Sequence, residues 1–483
     1  MSLITIISIF EAFSAMLLTE AVYQRARLHT GDFTRNRGKM PLPKLILYTI
    51  FRNCKDTSSE LSKFYSSIGE SNNKPSRQAA FKRLKCLNSQ VWPYLSEKFT
   101  ELFYASGESR TINNYLVWAS DTSSFEMPYS HDAAKKFGIH KSNHVKTESD
   151  AGKVLVRGGG LYDVVNHIFV DYVLKPFKES ERSILKDQLK QFSCLLSSLA
   201  IIILADRGYI SLELMVYAQM LGYKFCFRAT RSTYRSIVGR MSSDDAWVEI
   251  SLRKNILSRI SDAEVLSYLE GKRSYRVRVV KRYWTDPDTG VVSMIVYFTN
   301  LSQNQFTADD IMKLYEKRWK IELAYRTLKT TLELERHVSL DPEVALNILY
   351  GKIAFYNFTA LFRGQLESLL SDEDQRLNQS NPQKGKKNKY TYEINAKALI
   401  NELYSENLVK CLIYGNDIAT LVAAISTNLT SNINQYKTSI RLGRHFKRWG
   451  KPVTCSYKYK FLIDGRNHPK IALVGGVLRT VKP

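Results

Sequence analysis

The run Leu199-Ala-Ile-Ile-Ile-Leu-Ala-Asp206-Arg-Gly-Tyr209 constrains the fold of this chain more than any other stretch. Unbroken apolar residues with no alternation belong to a strand covered on both faces, as in the parallel sheets of α/β layers. The run stops on an acid and turns at a glycine. It then gives way to a helical pattern over Ser211–Leu221 and a further short strand over Tyr223–Arg228. Tyr115-Leu-Val-Trp-Ala-Ser-Asp121 repeats the design: an apolar run that ends on an acid. Either acid, alone, is explained as a turn residue or a helix cap. Two acids ending two buried strands are harder to set aside, because strands of one sheet bring their ends together.

A third acid comes from a helix. Thr307–Glu335 reads as one continuous helix: Thr307 can cap it, Asp309 and Asp310 suit its first turn, and neither Gly nor Pro interrupts it. At about 100° per residue, Tyr315, Arg318, Glu322 and Lys329 share an arc of roughly 60°. Leu314, Ile321, Tyr325, Leu328 and Leu332 fall on the adjacent arc as a core-facing stripe. Taken alone, Arg318 and Glu322 read as a surface ion pair worth roughly 0.3 kcal/mol. Next to two strand-end aspartates, Glu322 becomes the missing member of a carboxylate set.

The remainder sorts into segments. Residues 1–110 are helical and moderately basic. Within them Ser58–Ser67, the turn Gly69–Lys74 and a helix capped by Ser76 that carries Arg77, Lys82, Arg83 and Lys85 fit a helix-turn-helix, or merely a basic amphipathic helix. Residues 111–228 hold the first part of the α/β core. There Lys153–Arg157 and Val165–Lys175 are strands on either side of a Gly158–Gly160 turn, and Ser180–Leu196 is a helix. Residues 229–305 are a mostly β insertion, with strands at Ala246–Leu252, Ser274–Trp284 and Val291–Thr299 and a helix over Ser258–Leu269. Residues 306–370 complete the core, 371–390 form a linker, and 391–483 are a basic C-terminal region for DNA binding or dimerisation.

The formal net charge of +24 points to a polyanionic partner, most simply nucleic acid. Most of the excess lies C-terminal of Arg376, where Lys437–Tyr459, including Lys447 and Arg448, interleaves cations with aromatic rings. Such a mixture neutralises phosphates and stacks on bases, or is a basic tail. The six cysteines are scattered without a C-x-x-C pair, which argues for a reducing compartment and against a zinc site. His131, His140 and His144 read as a solvated loop. Met1–Leu18 is apolar but broken by Glu11, and reads as a packing helix; no membrane span is expected.

Strands followed by helices around one sheet, with Asp121, Asp206 and Glu322 at its edge, resemble a ribonuclease-H-like (retroviral-integrase-like) catalytic core. Hard oxygen ligands suit two Mg²⁺ or Mn²⁺ ions, the pair that drives in-line phosphoryl displacement. Tyr315-x2-Arg318-x3-Glu322-x6-Lys329 resembles the Tyr-Arg-Glu-Lys signature of DDE-type bacterial insertion-sequence transposases of the IS-four family. Asp206-Arg-Gly-Tyr is similar to that family's second-aspartate motif, and Tyr162-Asp163-Val164, Ser180-Glu181-Arg182 and Thr299-Asn300-Leu301 are similar to further family segments. Many relatives carry Gly after the first aspartate, where this chain has Thr122.

The resemblance implies metal-dependent cut-and-paste transposition. Asp121, Asp206 and Glu322 hold the metal, and Arg318 and Lys329 hold phosphate. Tyr315 orders the DNA end, and Trp247 or Trp284 fills the space of a flipped base. It further implies terminal inverted repeats and target duplex as partners, a homodimer on paired ends, and a bacterial cytoplasm with nucleoid association. Two alternatives remain at this point: a catalytically silent DNA-binding regulator derived from a transposase, and a ribonuclease-H-like nuclease that cuts without joining.

Overall fold

The computed structural model describes residues 1–34, 38–53, 56–140, 152–196, 198–230, 232–285, 290, 292–336, 339–379, 390–405, 408–414, 417–441, 470–474 and 477–481. Helices α1 (Leu3–Met16), α2 (Glu20–Ala26), α3 (Leu42–Ile50), α4 (Thr57–Ser67), α5 (Arg77–Lys85) and α6 (Val91–Ala105) come first. The core follows as β1 (Leu116–Glu126), α7 (His131–Phe137), β2 (Leu155–Asp163), β3 (Ile168–Pro176), α8 (Glu181–Leu195), β4 (Ile201–Ala205), α9 (Leu212–Met220) and β5 (Lys224–Ala229). Next are α10 (Arg235–Gly239), β6 (Asp245–Ser251), α11 (Lys254–Leu257), α12 (Ala263–Leu269), β7 (Ser274–Thr285) and β8 (Val292–Thr299). They lead to α13 (Ala308–Glu316), α14 (Trp319–Thr330) and α15 (Pro342–Gln379). The chain closes with β9 (Tyr390–Ile394), α16 (Ala396–Ser405), α17 (Leu408–Tyr414), α18 (Ile418–Ser431), α19 (Ile433–Tyr436), β10 (Lys437–Arg441), β11 (Lys470–Val474) and β12 (Val477–Val481).

One eight-stranded sheet, in the order β3-β2-β1-β4-β5-β8-β7-β6, carries the centre of the molecule. Its first five strands are an antiparallel set, β1 to β3, continued by β4 and β5 parallel to β1. That order fits a ribonuclease-H-like core. The β-rich block 229–305 joins the same sheet, because β8 pairs with β5 from Cys226↔Thr299 to Ala229↔Val296.

β4 is buried along its whole length, as its unbroken apolar run requires. It pairs in parallel with β1 from Leu116↔Ile201 to Ser120↔Ala205. β1 itself does not end at Asp121, contrary to expectation. It runs to Glu126, antiparallel to β2 all the way from Trp118↔Asp163 to Glu126↔Leu155. What ends beside Asp121 is its parallel neighbour. Asp121 and Asp206, one residue beyond Ser120 and Ala205, therefore stand level on adjacent strands.

Gly158–Gly160 is not a turn. The three glycines lie inside β2, and Gly160 pairs with Asp121 on one side and Tyr172 on the other. Glycine is otherwise depleted in strands; here the reason is close approach. A Cβ at 158 would stand 2.1 Å from the Tyr172 hydroxyl, one at 159 would stand 2.5 Å from Ile184 Cγ2, and one at 160 would stand 2.7 Å from the Tyr325 hydroxyl. The turn lies further on, where Asp163 accepts hydrogen bonds from the N–H groups of Val165 and Asn166.

Other expectations also change. Residues 131–137 form a helix, not loop. α15 continues through the acidic stretch to Gln379, into the segment anticipated as a linker, and 380–389 lie outside the described residues. The apolar surroundings of Cys194 and Cys226 predict two core thiols; Cys226 is buried, but Cys194 is exposed. Among the described residues no single helix is long and apolar enough to cross a membrane. The bent pair α1–α2 passes that test together, and α1 buries Ile6, Ile9, Phe10 and Phe13 in the core.

α15 is the spine of the helical part. Gly351 lets its backbone approach the Thr49 carbonyl of α3, where a Cβ would meet oxygen at 2.5 Å. Asn357 grips β3 by exchanging two 2.8 Å hydrogen bonds with the Phe169 backbone. α1 packs on α17 and α18, so the first helix shares a core with helices that follow α15.

Arg278 ties β7 to the entry of α13. Fully buried, it meets Asp245 with two parallel bonds of 2.8 and 2.7 Å and donates to the carbonyls of Leu301 and Phe306. Despite burial, Arg278 holds the Asp245 carboxyl below the usual range. Arg278→Met will destabilise the fold by about 3–5 kcal/mol in urea unfolding, because it strands Asp245 and two carbonyls together.

Candidate active site

The helix expected over Thr307–Glu335 is two helices. The predicted start is present in full, as a capping box in which Thr307 and Asp310 exchange bonds. Between α13 and α14 the bonding tightens to i→i−3: Arg318 N donates to Tyr315 O at 2.9 Å and Ile321 N to Arg318 O at 3.1 Å. A 3₁₀ turn of this kind advances about 120° per residue and breaks the even arc assumed from sequence. It carries Arg318 inward, to 7% exposure. α14 then ends at Thr330, and Glu333 adopts a left-handed conformation with φ 47°.

The apolar stripe packs as anticipated: Leu314, Ile321, Tyr325, Leu328 and Leu332 are all buried. Tyr325 does more than pack. Its hydroxyl donates 2.8 Å to the Asp121 carbonyl and 3.4 Å to that of Gly158, fixing α14 to the point where the parallel pairing of β1 ends.

Arg318 is the hub. Its Nη2 donates to Glu322 Oε1 at 2.5 Å, and its Nη1 lies 3.9 Å from Asp121 Oδ2. Burial works against its charge, but Tyr315, Glu322, Asp206 and Asp121 outweigh burial and raise its pKa. Tyr315 donates 3.2 Å to Asp206 Oδ1, with its own pKa pushed well up by burial, so the phenol is a neutral donor there. Burial pushes the Asp121 carboxyl up to about 6. Arg318 and the Thr122 N–H oppose that shift, while Glu322 and Glu181 add to it. Lys329 lies along β1, donating 2.8 Å to the Ser124 carbonyl with its ammonium 4.7 Å from the centre of the Phe125 ring.

Three groups make contacts at the site that the sequence does not assign to them, although Thr122 and Glu181 lie in segments similar to the family's. Glu181 accepts from Thr122 Oγ1 at 2.7 Å and Arg157 Nη1 at 2.6 Å, which places a fourth carboxylate beside Asp121. Its position in the first turn of α8 signals only a dipole partner. Arg157 precedes the glycines of β2, and nothing local marks it. Thr122, the departure from the family pattern, is the residue that brings Glu181 in.

The outlying candidates separate. Arg77 and Lys82 are exposed on α5, whose cap is Ser76 as expected. Arg83 turns inward, donating to Met40 O at 3.3 Å and lying 4.5 Å over the Phe33 ring. Trp247 stands on the outermost strand β6, with Arg276 over its ring. Lys447 and Arg448, His144 and the side chain of Trp284 lie outside the described residues.

Asp121, Asp206 and Glu322 are thus gathered at one sheet edge, but not closed into a cage. Among the described residues no group of three His, Cys, Asp or Glu side chains stands close enough to hold a metal ion. The donor chemistry nonetheless fits a divalent cation. These are hard oxygen ligands, and burial leaves Asp121 short of countercharge even with Arg318 nearby.

Residues 119–358 match the family model described as the transposase DDE domain. This segment is a DDE-type transposase domain. The matched span runs from β1, two residues before Asp121, into α15, and takes in every acid and cation of the site. DDE transposases generally use divalent metal ions. Among solved structures, the chain is similar to piggyBac transposase in its synaptic complex with hairpin DNA. Identity is 12% and the TM-score 0.39, over 89% of this chain and 82% of that one. No curated protein matches the chain.

Proposed function

We propose that this chain is an insertion-sequence transposase of the IS-four type that cuts transposon ends and joins them to target DNA. One observation carries the proposal: Asp121 and Asp206 stand level on adjacent strands, and Arg318 reaches from Asp121 to Glu322 across the same edge. Asp121, Asp206 and Glu322 would hold two Mg²⁺ or Mn²⁺ ions. When bound, such ions activate a hydroxyl or water and stabilise the leaving oxygen of an in-line phosphoryl displacement.

The chain's own groups have separate tasks. Tyr315 fixes the orientation of the Asp206 carboxylate. Arg318 occupies the acids in the absence of DNA; an incoming phosphate offers it a bidentate partner, frees the carboxylates and places the phosphodiester over them. Lys329, held along β1 by its bond to the Ser124 carbonyl, would take a flanking phosphate. Arg77 and Lys82, exposed on α5, would contact the duplex outside the cleavage point. Water attacks first, and the released 3′-OH attacks next, either on the opposite strand to give a hairpin or on target DNA. Two ends must be held together for this, so the working form is a dimer on DNA, in the cytoplasm of a bacterium.

The test uses the full chain, Mg²⁺ or Mn²⁺, and a plasmid bearing the inverted repeats that flank its coding sequence. The expected products are nicked, hairpinned and joined DNA. Asp206→Ala and Glu322→Ala should each lower cleavage by about 10³-fold or more while the chain still binds DNA. Binding without cleavage by the wild-type chain would instead identify a regulator. Cleavage without joining would identify a nuclease.

A further inference from the structure

The edge that carries Asp206 holds one more cation. β5 runs parallel to β4 with Ala205 opposite Phe227, so the next residues along the two chains are Asp206 and Arg228. On its other side Arg228 lies directly opposite Tyr297 of β8. Residues opposite one another in a sheet point to the same face. The Tyr297 ring packs 5.0 Å from that of Tyr315, whose hydroxyl bonds Asp206. Arg228, Tyr297, Tyr315 and Asp206 therefore share one face beneath α13, and the Arg228 charge is felt by both phenols.

Partnering and burial together distinguish Arg228 from its neighbours, since Arg207 beside Asp206 is exposed. Arg157 has Glu181, Arg318 has Glu322, Arg278 has Asp245 and Arg282 has Asp309. Arg182 holds the carbonyls of Gly208 and Ile210. The Arg228 side chain is half-buried, yet makes no hydrogen bond or ion pair among the described residues. A guanidinium that has lost water and gained no acceptor is at a disadvantage until an anion arrives. Its fork suits two oxygens of one phosphate.

We propose that Arg228 binds a backbone phosphate of the DNA on the Asp206 side of the cut, opposite the phosphate taken by Arg318. The site then grips the strand on both sides of the reacting phosphodiester. Arg318 works from the Asp121–Glu322 side, and Arg228 from the strand beyond Asp206.

This inference rests on the transposase reading, and the experiment separates the two. Binding of the full chain to a fluorescent duplex ending in the flanking inverted repeat is measured across a salt series without metal, and nicking of the matching plasmid is measured with Mg²⁺. Arg228→Met keeps the aliphatic stem and removes the charge. It should weaken binding roughly 10- to 100-fold and lower the log–log salt slope by about one. Arg228→Lys should restore the slope and part of the affinity. If Arg228→Met binds and nicks like the wild type with an unchanged slope, the stem merely packs on Tyr297 and the proposal is overturned, while the transposase reading stands. A wild-type chain that neither binds nor nicks overturns both.

Discussion

Asp121→Asn will make the metal-free chain more stable at neutral pH while removing its DNA cleavage. The Asp121 carboxyl has a pKa of about 6 in the fold because burial disfavours its charge, against about 3.9 in an unfolded chain. A raised carboxyl pKa means that the folded state prefers the protonated form. The resulting stabilisation is complete below about pH 4 and is lost as pH rises through about 6. Above that, the ionised group costs roughly 1–3 kcal/mol relative to the unfolded chain, allowing for its partial exposure. Asparagine keeps the shape and removes the charge. It gives up only the 3.9 Å approach of Arg318, which keeps its shorter bond to Glu322. Urea unfolding at pH 7.5 should show a gain of about 1–2 kcal/mol, vanishing near pH 4. Cleavage should fall by about 10³-fold or more. Millimolar Mg²⁺ should raise the melting temperature of the wild type and leave that of the variant unchanged. A variant less stable than wild type at pH 7.5 would mean that the Arg318 contact, not burial, decides the energy of Asp121.

The acid positions were legible because the cues are local. The unbroken run before Asp206 demands a covered strand, and its parallel partner at Leu116–Ser120 carries the same demand. The stripe from Leu314 to Leu332 needs only helical spacing to be recognised, and the Thr307 cap needs only its own neighbours. What was not legible depends on contacts across the fold. The polar residues Thr122–Ser124 look like the end of a strand, but β2 continues beside them and keeps β1 extended to Glu126. The glycines of β2 look like a turn, since the side chains that exclude a Cβ come from other elements, β1, β3, α8 and α14. The break at Lys317–Arg318 has no Gly or Pro to announce it; the tight turn sits where Arg318 turns inward toward acids on β1 and α14. Glu181 looks like a helix-dipole residue until Thr122 and Arg157 are seen against it. Position in sequence picked out the acids and the arginine that the fold gathers at one sheet edge. The fold decided which of them already have partners, and that distinction separates Arg228 from Arg157.

Gly160→Ala will damage catalysis more than stability. Gly160 is the β2 partner of Asp121, and its missing Cβ is the space into which the Tyr325 hydroxyl reaches. An added methyl group would stand 2.7 Å from that oxygen, closer than real contacts allow, and 3.0 Å from the Phe169 ring, tighter than most. Phe169 is locked by the Asn357 grip on its backbone, so Tyr325 is the side that yields. Its hydroxyl leaves the Asp121 carbonyl, and α14 shifts with it, carrying Glu322 and Arg318. The overpacking should cost about 1–3 kcal/mol in urea unfolding. A displacement of about 1 Å at the reacting groups should lower cleavage roughly 10²-fold. Tyr325→Phe alone loses one hydrogen bond worth about 1 kcal/mol, and leaves the helix in place. In Gly160→Ala/Tyr325→Phe the methyl group occupies the volume of the deleted hydroxyl. The double variant should therefore recover much of the cleavage lost in the alanine variant, a positive coupling that two independent lesions would not show. Strictly additive losses, or a neutral Gly160→Ala, would mean that Tyr325 does not set the height of α14 over Asp121.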